Sequence, residues 1–294
     1  MEEKRMIKVL VIGADGMLGH LLVQYLRETA NYELFTVSRA FKNESHHFQL
    51  DVYEREKLEK LIENIAPNYV INCVGVLVQD AQNHPDNAIY VNAYFPHFLD
   101  RLSQAFNYKL VHISTDCVFD GKKGGYTEVD VPNETNFYGR SKALGEVVND
   151  RNLTIRTSII GPEIKAQGVG LFHWFMQQKG DIQGFSKAIW SGVTTLELAK
   201  FIHFLMLNQL PLNGLIHLGN NQRISKKDLL CIFQTVFNRR DVNIHDNAVF
   251  ESDKSFISTR NATDYIVPDY EIMIVEMQDW IEKHNQTYRM YLKN

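Results

Sequence analysis

The feature that most constrains the fold lies near the start of the chain, where an apolar run leads directly into a glycine-rich turn. The segment IKVLVIG is apolar apart from Lys8, which is typical of a strand that is buried on both faces. Gly13, Gly16 and Gly19 follow in GADGMLG, and MLGHLLVQYLRE then has the apolar spacing of a helix. A strand, a glycine turn and a helix in this order predict the first unit of a parallel sheet.

The first half of the chain repeats this alternation. Strand-like segments occur at YELFTVS, YVINCVG, KLVHIST and LTIRTSII, with helical patterns between them. This order predicts an α/β fold of the Rossmann type, with a doubly wound parallel sheet. After residue 160 the alternation fades, and helical patterns predominate at TLELAKFIHFLMLN, KKDLLCIFQTVF and EIMIVEMQDWIEKH.

The glycine turn is suited to a dinucleotide. Glycine permits a tight turn, and the amides of a helix N-terminus, here the turn with Met17 and Leu18, can hold a phosphate. A purely structural turn is the alternative. We therefore predict an NAD(P)-binding Rossmann domain over 1–160. Residues 161–294 are predicted to form mainly a substrate-binding region, with some helices packing back on the first domain.

The end of the second predicted strand bears on the choice of cofactor. NAD-selective sites place Asp or Glu there, whereas an arginine accommodates the 2′-phosphate of NADP. This chain has Ser38 and Arg39 at that point, with Lys42 nearby. These residues favour NADP(H) and leave NAD(H) open, and a solvated basic loop is the alternative. Asp51 and Val52 close the next short segment, where they can meet the adenine ring.

A tyrosine and a lysine lie four residues apart in the segment NFYGRSK. Tyr138 and Lys142 share one face if this segment is helical. A cation about 4 Å from a phenol is worth roughly 4 kcal/mol at an effective dielectric of about 20, which corresponds to about three pKa units. The pair is therefore predicted to pass a proton near neutral pH, although an accidental surface pair has the same spacing.

Composition excludes several classes of protein. The 294 residues carry a net charge of −4, which provides no global field for nucleic acid or an acidic membrane. Three scattered cysteines are too few for a disulfide framework or a Cys-rich zinc site. No apolar segment approaches the length of a bilayer span. We expect a cytoplasmic protein without a metal site.

Taken together, the motifs resemble the extended short-chain dehydrogenase/reductase family. The glycine turn, NCVG, STDCVFDG and YGRSK carry the resemblance. It implies that Tyr138 donates a proton, that Lys142 holds the nicotinamide ribose and acidifies the tyrosine, and that Thr115 hydrogen-bonds the substrate. It further implies cofactor contacts by Cys73, Val74, Gly75 and Asn92.

Within that family, the chain resembles the dTDP-4-dehydrorhamnose reductases in STDCVFDG, YGRSKALGE, IRTS, SGVT and STR. The resemblance implies NAD(P)H-dependent reduction of the 4-keto group of a 4-keto-6-deoxyhexose on a nucleoside diphosphate. Such an enzyme serves the synthesis of deoxysugars for cell-surface polysaccharide, and a homodimer is one assembly open to it. The substrate contacts that it implies are Thr115 and Asp116. Trp190 is a candidate aromatic wall and Arg260 a candidate diphosphate contact, with a core tryptophan and a solvated charge as the alternatives.

Two departures from these patterns bear on the reaction and the sugar. Related 4,6-dehydratases have Asp–Glu after the threonine, whereas Asp116 is followed here by Cys117, which disfavours dehydration. The rhamnose enzymes tend to have a tryptophan where this chain has Ile159 and Ile160, so a UDP-linked 2-acetamido sugar stays open. An epimerase and a non-catalytic NADP-binding regulatory subunit are the alternatives, and such subunits usually lack the tyrosine or the lysine.

Overall fold

The structure is a computed structural model that describes residues 6–29, 32–260 and 264–292. Its first half alternates strands and helices in the predicted order. A π-helix (Ile89–Tyr94) precedes α5, and a 3₁₀ turn (Asp116–Val118) follows β5. The elements are β1 (Lys8–Ile12), α1 (Met17–Thr29), β2 (Glu33–Ser38), β3 (His47–Gln49), α2 (Arg55–Ile65), β4 (Tyr69–Asn72), α3 (Val78–Asn83), α4 (Pro85–Ala88), α5 (Phe95–Phe106), β5 (Lys109–Thr115), α6 (Phe137–Leu144) and β6 (Leu153–Thr157).

The second half consists of helices joined by short strands, and it ends in a 3₁₀ turn (Arg289–Tyr291). The three helical patterns named for this half are confirmed as α8, α9 and α10. The elements are β7 (Ile159–Ile160), α7 (Leu171–Met176), β8 (Gly180–Phe185), β9 (Ala188–Trp190), β10 (Val193–Thr194), α8 (Thr195–Leu207), β11 (Gly214–His217), β12 (Ile224–Ser225), α9 (Lys226–Val236), β13 (Val242–Asn247), β14 (Ser252–Asp253) and α10 (Tyr270–Lys283).

Seven parallel strands form the central sheet, in the order β3–β2–β1–β4–β5–β6–β11. The predicted doubly wound parallel sheet is confirmed. The strand order reverses between β1 and β4, and ligands of open α/β sheets bind in the crevice at the carboxyl ends of the strands beside such a reversal. Ser38 and Thr115, which each end a strand, therefore lie at one edge of the sheet, together with the candidate stretch that begins at Cys73 after β4.

The central strand β1 is covered on both faces. Val9 and Val11 pack into one core cluster with helices α1 and α8, whereas Leu10 and Ile12 pack into another with α2 and α5. All four side chains have no exposed surface. This two-sided burial explains why β1 is a continuous apolar run and not an alternating pattern.

The region after residue 160 does not stand apart from the sheet. Strand β11 pairs with β6 from Gly214–Leu153 to His217–Arg156, and α8 packs against α1. The two parts share the central sheet and its larger core cluster. The division at residue 160 stays a prediction. Within the three described ranges, no helix combines the length and the apolar character needed to cross a bilayer.

Pro96 lies in the first turn of α5 and does not interrupt the helix. The change in winding comes earlier, in the π-helix, whose last step has the amide of Phe95 donating to the carbonyl of Tyr90. Pro96 has no N–H and leaves the carbonyl of Asn92 without its helical donor. Gly145 covers that carbonyl so closely that a side-chain carbon on it would lie 1.8 Å from the oxygen. The proline therefore opens a packing site instead of breaking the helix.

A buried polar cluster joins β5, β6 and β11. The Arg156 guanidinium donates to both oxygens of Glu146 at 2.8 and 2.6 Å, and the Ser114 hydroxyl donates to the same carboxylate at 2.7 Å. A third Arg156 nitrogen lies 2.9 Å from Nε2 of His217, which must accept this bond. Arg156 and His217 are each 2 % exposed, so the imidazole is held neutral beside a buried cation.

We predict that His217 makes the fold sensitive to mild acid. Burial, and then Arg156, lower the pKa of His217 from 6.5 to about 4. The unfolded chain therefore takes up a proton first, so the stabilisation is complete above about pH 6.5 and is lost as the pH falls toward 4. Between pH 7 and 4.5 the loss is roughly 2–3 kcal/mol in the free energy of unfolding.

Urea unfolding across this pH range measures the effect. His217→Gln keeps an acceptor for Arg156 but does not titrate, so its unfolding free energy should fall less steeply than that of the wild type. His84→Gln, at an exposed position, is the matched control and should follow the wild type. Parallel curves for His217→Gln and the wild type would contradict the prediction.

Candidate active site

The glycine turn between β1 and α1 depends on close backbone contacts. Gly13 has a φ of 89°, and a side-chain carbon there would lie 2.9 Å from Cγ2 of Val74 and 3.0 Å from the carbonyl carbon of Cys73. A side-chain carbon on Gly19 would lie 2.1 Å from the carbonyl oxygen of Gly13. Only glycine fits at both positions, and the turn therefore holds α1 and the end of β4 close together.

The first turn of α1 can offer amides to an anion. The first amides of an α-helix have no acceptor within the helix, and here they belong to Met17, Leu18 and Gly19. A side-chain carbon on Gly16 would lie 3.3 Å from the Gly13 carbonyl oxygen, so backbone lines the turn. Bare backbone and helix amides meet at the carboxyl end of β1, and a pyrophosphate fits this arrangement.

The end of β2 lies beside the same turn. The amides of Gly13 and Ala14 both donate to the carbonyl oxygen of Val37, at 2.9 and 3.1 Å. Ser38 is the last residue of β2 and is buried, whereas Arg39 is exposed. The structure therefore brings Ser38 to the turn and leaves the Arg39 side chain at the surface.

The segment after β3 packs against the helices that follow β4. The amide of Tyr53 donates to the Asp51 carboxylate at 3.1 Å, and the Tyr90 hydroxyl donates to the carbonyl of Val52 at 3.1 Å. The rings of Tyr53 and Tyr90 are stacked with centroids 4.2 Å apart. Asp51 and Val52 are thereby held at the side of the crevice where the sequence predicts the adenine ring.

The buried side chain of Asn92 holds the segment after β4 in place. Its Oδ1 accepts from the amide of Val76 at 2.8 Å, and its Nδ2 donates to the Val76 carbonyl at 3.0 Å and to the Ser141 hydroxyl at 3.1 Å. Gly75 lies against the same amide group. Asn92 thus ties α6 to the stretch Cys73–Val74–Gly75, which borders the glycine turn.

Thr115 ends β5 and caps the 3₁₀ turn that follows it. Its hydroxyl accepts from the amide of Cys117 and donates to Oδ1 of Asp116, each at 3.1 Å. Asp116 is 4 % exposed, and burial raises its pKa, although Lys254 and the hydroxyls of Thr115 and Ser158 oppose this. Burial likewise raises the pKa of the Cys117 thiol to about 12.

Tyr138 and Lys142 lie on the short helix α6. Asn136 caps this helix by accepting from the amide of Gly139 at 2.9 Å, and Gly139 allows close contact with the carbonyl of Cys117. The Lys142 ammonium is buried and donates to the carbonyl of Ile113 at 2.7 Å. Helix α6 therefore sets both side chains against the carboxyl end of β5.

The electrostatics differ from the sequence prediction that Lys142 acidifies Tyr138. Desolvation by the surrounding protein, and then Cys117 and Asp116, raise the pKa of Tyr138, while the nearby Thr115 hydroxyl lowers it. Burial lowers the pKa of Lys142 to about 8, although Glu146 opposes this. At neutral pH the tyrosine is therefore fully protonated, and the lysine is mostly charged.

A C-terminal lysine that the sequence analysis missed reaches this site. The Lys254 ammonium lies 2.9 Å from Oε2 of Glu134, which packs against Gly139 in α6. Burial alone would lower the pKa of Lys254. The nearby Cys117, Glu134 and Asp116 outweigh burial, so the pKa of Lys254 is raised. No sequence pattern links residue 254 to the tyrosine, because the contact depends on the path of the C-terminal half.

Two residues predicted to contact substrate are occupied elsewhere. Trp190 is 5 % exposed and packs against Tyr270 with ring centroids 5.6 Å apart. Arg260 donates to the carbonyls of Asn213 and Leu215 at 2.7 and 2.9 Å, beside the amino end of β11. Core packing thus uses the indole and backbone carbonyls use the guanidinium, and contact of either residue with substrate stays a prediction.

The chain also matches the model of a known protein family. The model of the family described as "RmlD substrate binding domain" matches residues 7–252. The chain belongs to this family. It is thereby an extended short-chain dehydrogenase/reductase, as the sequence motifs predict.

Individual relatives of this RmlD-family chain point in two directions. A dTDP-4-dehydrorhamnose reductase of Aggregatibacter actinomycetemcomitans is 30% identical over 159 residues, which cover 52% of this chain and 51% of the relative. The chain thus aligns with about half the length of that enzyme. Methionine adenosyltransferase 2 subunit beta of Mus musculus is 25% identical over an alignment that covers 79% of this chain and 72% of that protein.

A solved structure resembles the fold over nearly its whole length. The dTDP-4-dehydrorhamnose reductase of Bacillus anthracis str. Ames, crystallised in complex with NADP, has a TM-score of 0.80 and 23% sequence identity. The likeness covers 94% of this chain and 99% of that one. At this identity the likeness shows the shared fold.

We predict that Asn92→Ala destabilises this RmlD-family protein. The change leaves buried donor and acceptor groups of Val76 and Ser141 without partners, which costs of order 2–3 kcal/mol in the free energy of unfolding. Urea unfolding measures the loss. Asn83→Ala, on the exposed surface of α3, is the control and should shift stability by no more than about 0.5 kcal/mol. Equal effects of the two changes would show that the Asn92 contacts do not support the fold.

Proposed function

We propose that this protein is an NAD(P)H-dependent oxidoreductase that reduces the 4-keto group of a nucleotide-linked 4-keto-6-deoxyhexose. The activity is that of a dTDP-4-dehydrorhamnose reductase-like enzyme, in the synthesis of deoxysugars for cell-surface polysaccharide. The observation that carries the proposal is the meeting of β5 and α6, which sets Thr115, Tyr138 and Lys142 at the carboxyl edge beside the glycine turn. Membership of the RmlD family and the reductases among its relatives support it.

The chain's own residues supply the proton chemistry. NAD(P)H, when bound, supplies the hydride for the C4 carbonyl carbon. At neutral pH Tyr138 is protonated and transfers this proton to the carbonyl oxygen, although its raised pKa makes the phenol a weaker acid. The charged Lys142, one helical turn along the same face, stabilises the phenolate that remains. Thr115 orients the carbonyl oxygen.

The cofactor site follows from the crevice between β1 and β4. The helix amides after Gly16 would hold the pyrophosphate, the end of β2 would meet the adenosine ribose, and the segment after β4 would support the nicotinamide half. NADP(H) is the preferred cofactor, because basic residues stand at the end of β2 where NAD-selective sites have an acid. NAD(H) is a possible second cofactor. The NADP complex of a reductase with the same fold supports this assignment.

Dehydration is the less suitable reaction for this site. A 4,6-dehydratase needs a base to abstract the proton beside the carbonyl, and Cys117 stands where that base is expected. With a pKa raised to about 12, the Cys117 thiol stays protonated at neutral pH and cannot serve. Reduction needs only the hydride, one proton donor and a group that orients the carbonyl.

A regulatory role is the second candidate. It is favoured by the likeness to methionine adenosyltransferase 2 subunit beta over 79% of the chain, which exceeds the share aligned with the reductase relative. Retention of both Tyr138 and Lys142 favours an enzyme instead. The role of residues 161–294 in substrate binding, a homodimer and a cytoplasmic location remain predictions.

The reaction is tested with a panel of dTDP-, UDP- and GDP-linked 4-keto-6-deoxy sugars and NADPH deuterated at the transferred position. We expect the deuterium at sugar C4 and one NADP⁺ formed per product molecule. The panel includes 2-acetamido sugars on UDP, so it also identifies the sugar. Product that carries no deuterium and forms without cofactor consumption would indicate an epimerase. No turnover with any sugar would leave the regulatory candidate.

We predict that Tyr138→Phe lowers kcat by about 10²–10⁴-fold, because only the proton-donating hydroxyl is lost. The Kd for NADPH, measured by fluorescence, should stay within about threefold, since the ring and its packing are kept. Tyr94→Phe, on the surface of the π-helix, is the matched control and should retain wild-type kcat. Near-normal turnover of Tyr138→Phe would remove this residue from the mechanism.

A further inference from the structure

An ion pair crosses from the glycine turn to the loop after β2. Asp15 lies between Gly13 and Gly16, and its Oδ1 is 2.5 Å from the ammonium of Lys42. The Asp15 side chain is 19 % exposed and that of Lys42 is 33 % exposed, so both border the crevice while remaining in reach of solvent. Neither residue is needed to explain the proton chemistry at Tyr138.

The surroundings of Asp15 show which part of the crevice it faces. Burial raises the pKa of Asp15, but contacts with Lys42 and Ser38, and the more distant His47, outweigh this and lower it. The carboxylate is therefore ionised at neutral pH. Ser38 ends β2, so the negative charge of Asp15 lies beside the strand end where NAD-selective sites carry an acid.

We propose that Asp15 and Lys42 together determine whether NAD(H) or NADP(H) binds, through their contacts with the adenosine ribose. The glycine turn supplies the carboxylate that β2 lacks, and Asp15 accepts hydrogen bonds from the ribose hydroxyls of NAD(H). Lys42 supplies the cation for the 2′-phosphate of NADP(H). This inference rests on the proposed NAD(P)H-dependent function and deepens it by naming the residues that choose the cofactor.

The exposure of the pair allows this exchange. Partly exposed ion pairs contribute little to stability, although Oδ1 of Asp15 itself is buried and loses its cation when Lys42 moves. A phosphate monoester carries more negative charge than a carboxylate and attracts the ammonium more strongly. When the 2′-phosphate is absent, Lys42 neutralises Asp15 without blocking its remaining lone pairs. The exposed Arg39 lies next to Ser38 and is the competing candidate for the phosphate contact.

Isothermal titration with adenosine 2′,5′-bisphosphate and 5′-AMP tests the pair without any sugar substrate. We expect Lys42→Met to weaken 2′,5′-bisphosphate binding by at least about tenfold, as for one charge-assisted phosphate contact, and to change 5′-AMP binding by less than twofold. Asp15→Asn should weaken 5′-AMP binding by about three- to tenfold and should not weaken 2′,5′-bisphosphate binding. The double variant keeps the net charge; by these factors it should weaken binding of both nucleotides and shift the preference between them less than Lys42→Met does.

Arg39→Gln and Lys57→Met serve as comparison variants, the latter with an exposed lysine on α2. Circular dichroism establishes that each variant is folded. Equal losses for both nucleotides in Lys42→Met, or loss of the preference in Arg39→Gln alone, would overturn the inference. A wild-type protein that binds neither nucleotide would overturn the proposed function and this inference with it. If the wild-type protein binds the nucleotides and both single variants keep its preference between them, the inference is overturned while the proposed function stands.

Discussion

The contact between α6 and the π-helix before α5 is the constraint on which the candidate site depends. Pro96 frees the Asn92 carbonyl, Gly145 packs over it, and the Asn92 side chain joins Val76 to Ser141. One buried residue thus positions the helix that carries the tyrosine and lysine, and also the segment that borders the glycine turn. Because both halves of the candidate site share this support, the glycine turn and the helix with Tyr138 and Lys142 are held in a common frame.

Burial governs the proton chemistry of the site more than the pairing of charges does. Desolvation raises the pKa of Tyr138 and lowers that of Lys142, so both neutral forms are favoured relative to water. Tyr138 is therefore protonated at neutral pH, and it is a weaker acid than a phenol in water. The same desolvation makes Cys117 inert, which separates this site from one that must abstract a proton from carbon.

Most of the elements could be predicted from the chain, because their signals are local. The apolar run of β1, the amphipathic helices α8 to α10 and the spacing of Tyr138 and Lys142 each lie within a few turns or one strand. The π-helix, the contact of Lys254 with Glu134 and the partner of Trp190 could not be predicted. Each depends on a partner distant in sequence, such as Gly145 for Asn92 or Tyr270 for Trp190.

Local patterns were therefore sufficient to specify a Rossmann-type sheet, its glycine turn and the helix with the tyrosine and lysine, since backbone propensity and periodicity act over short distances. Folding in three dimensions was needed to set the charges of these groups and to select which residues join them. Lys42 meets Asp15, and Lys254 meets Glu134, only because separate segments converge at one edge of the sheet. Burial and long-range contacts are properties of the assembled chain, and no short stretch of sequence contains them.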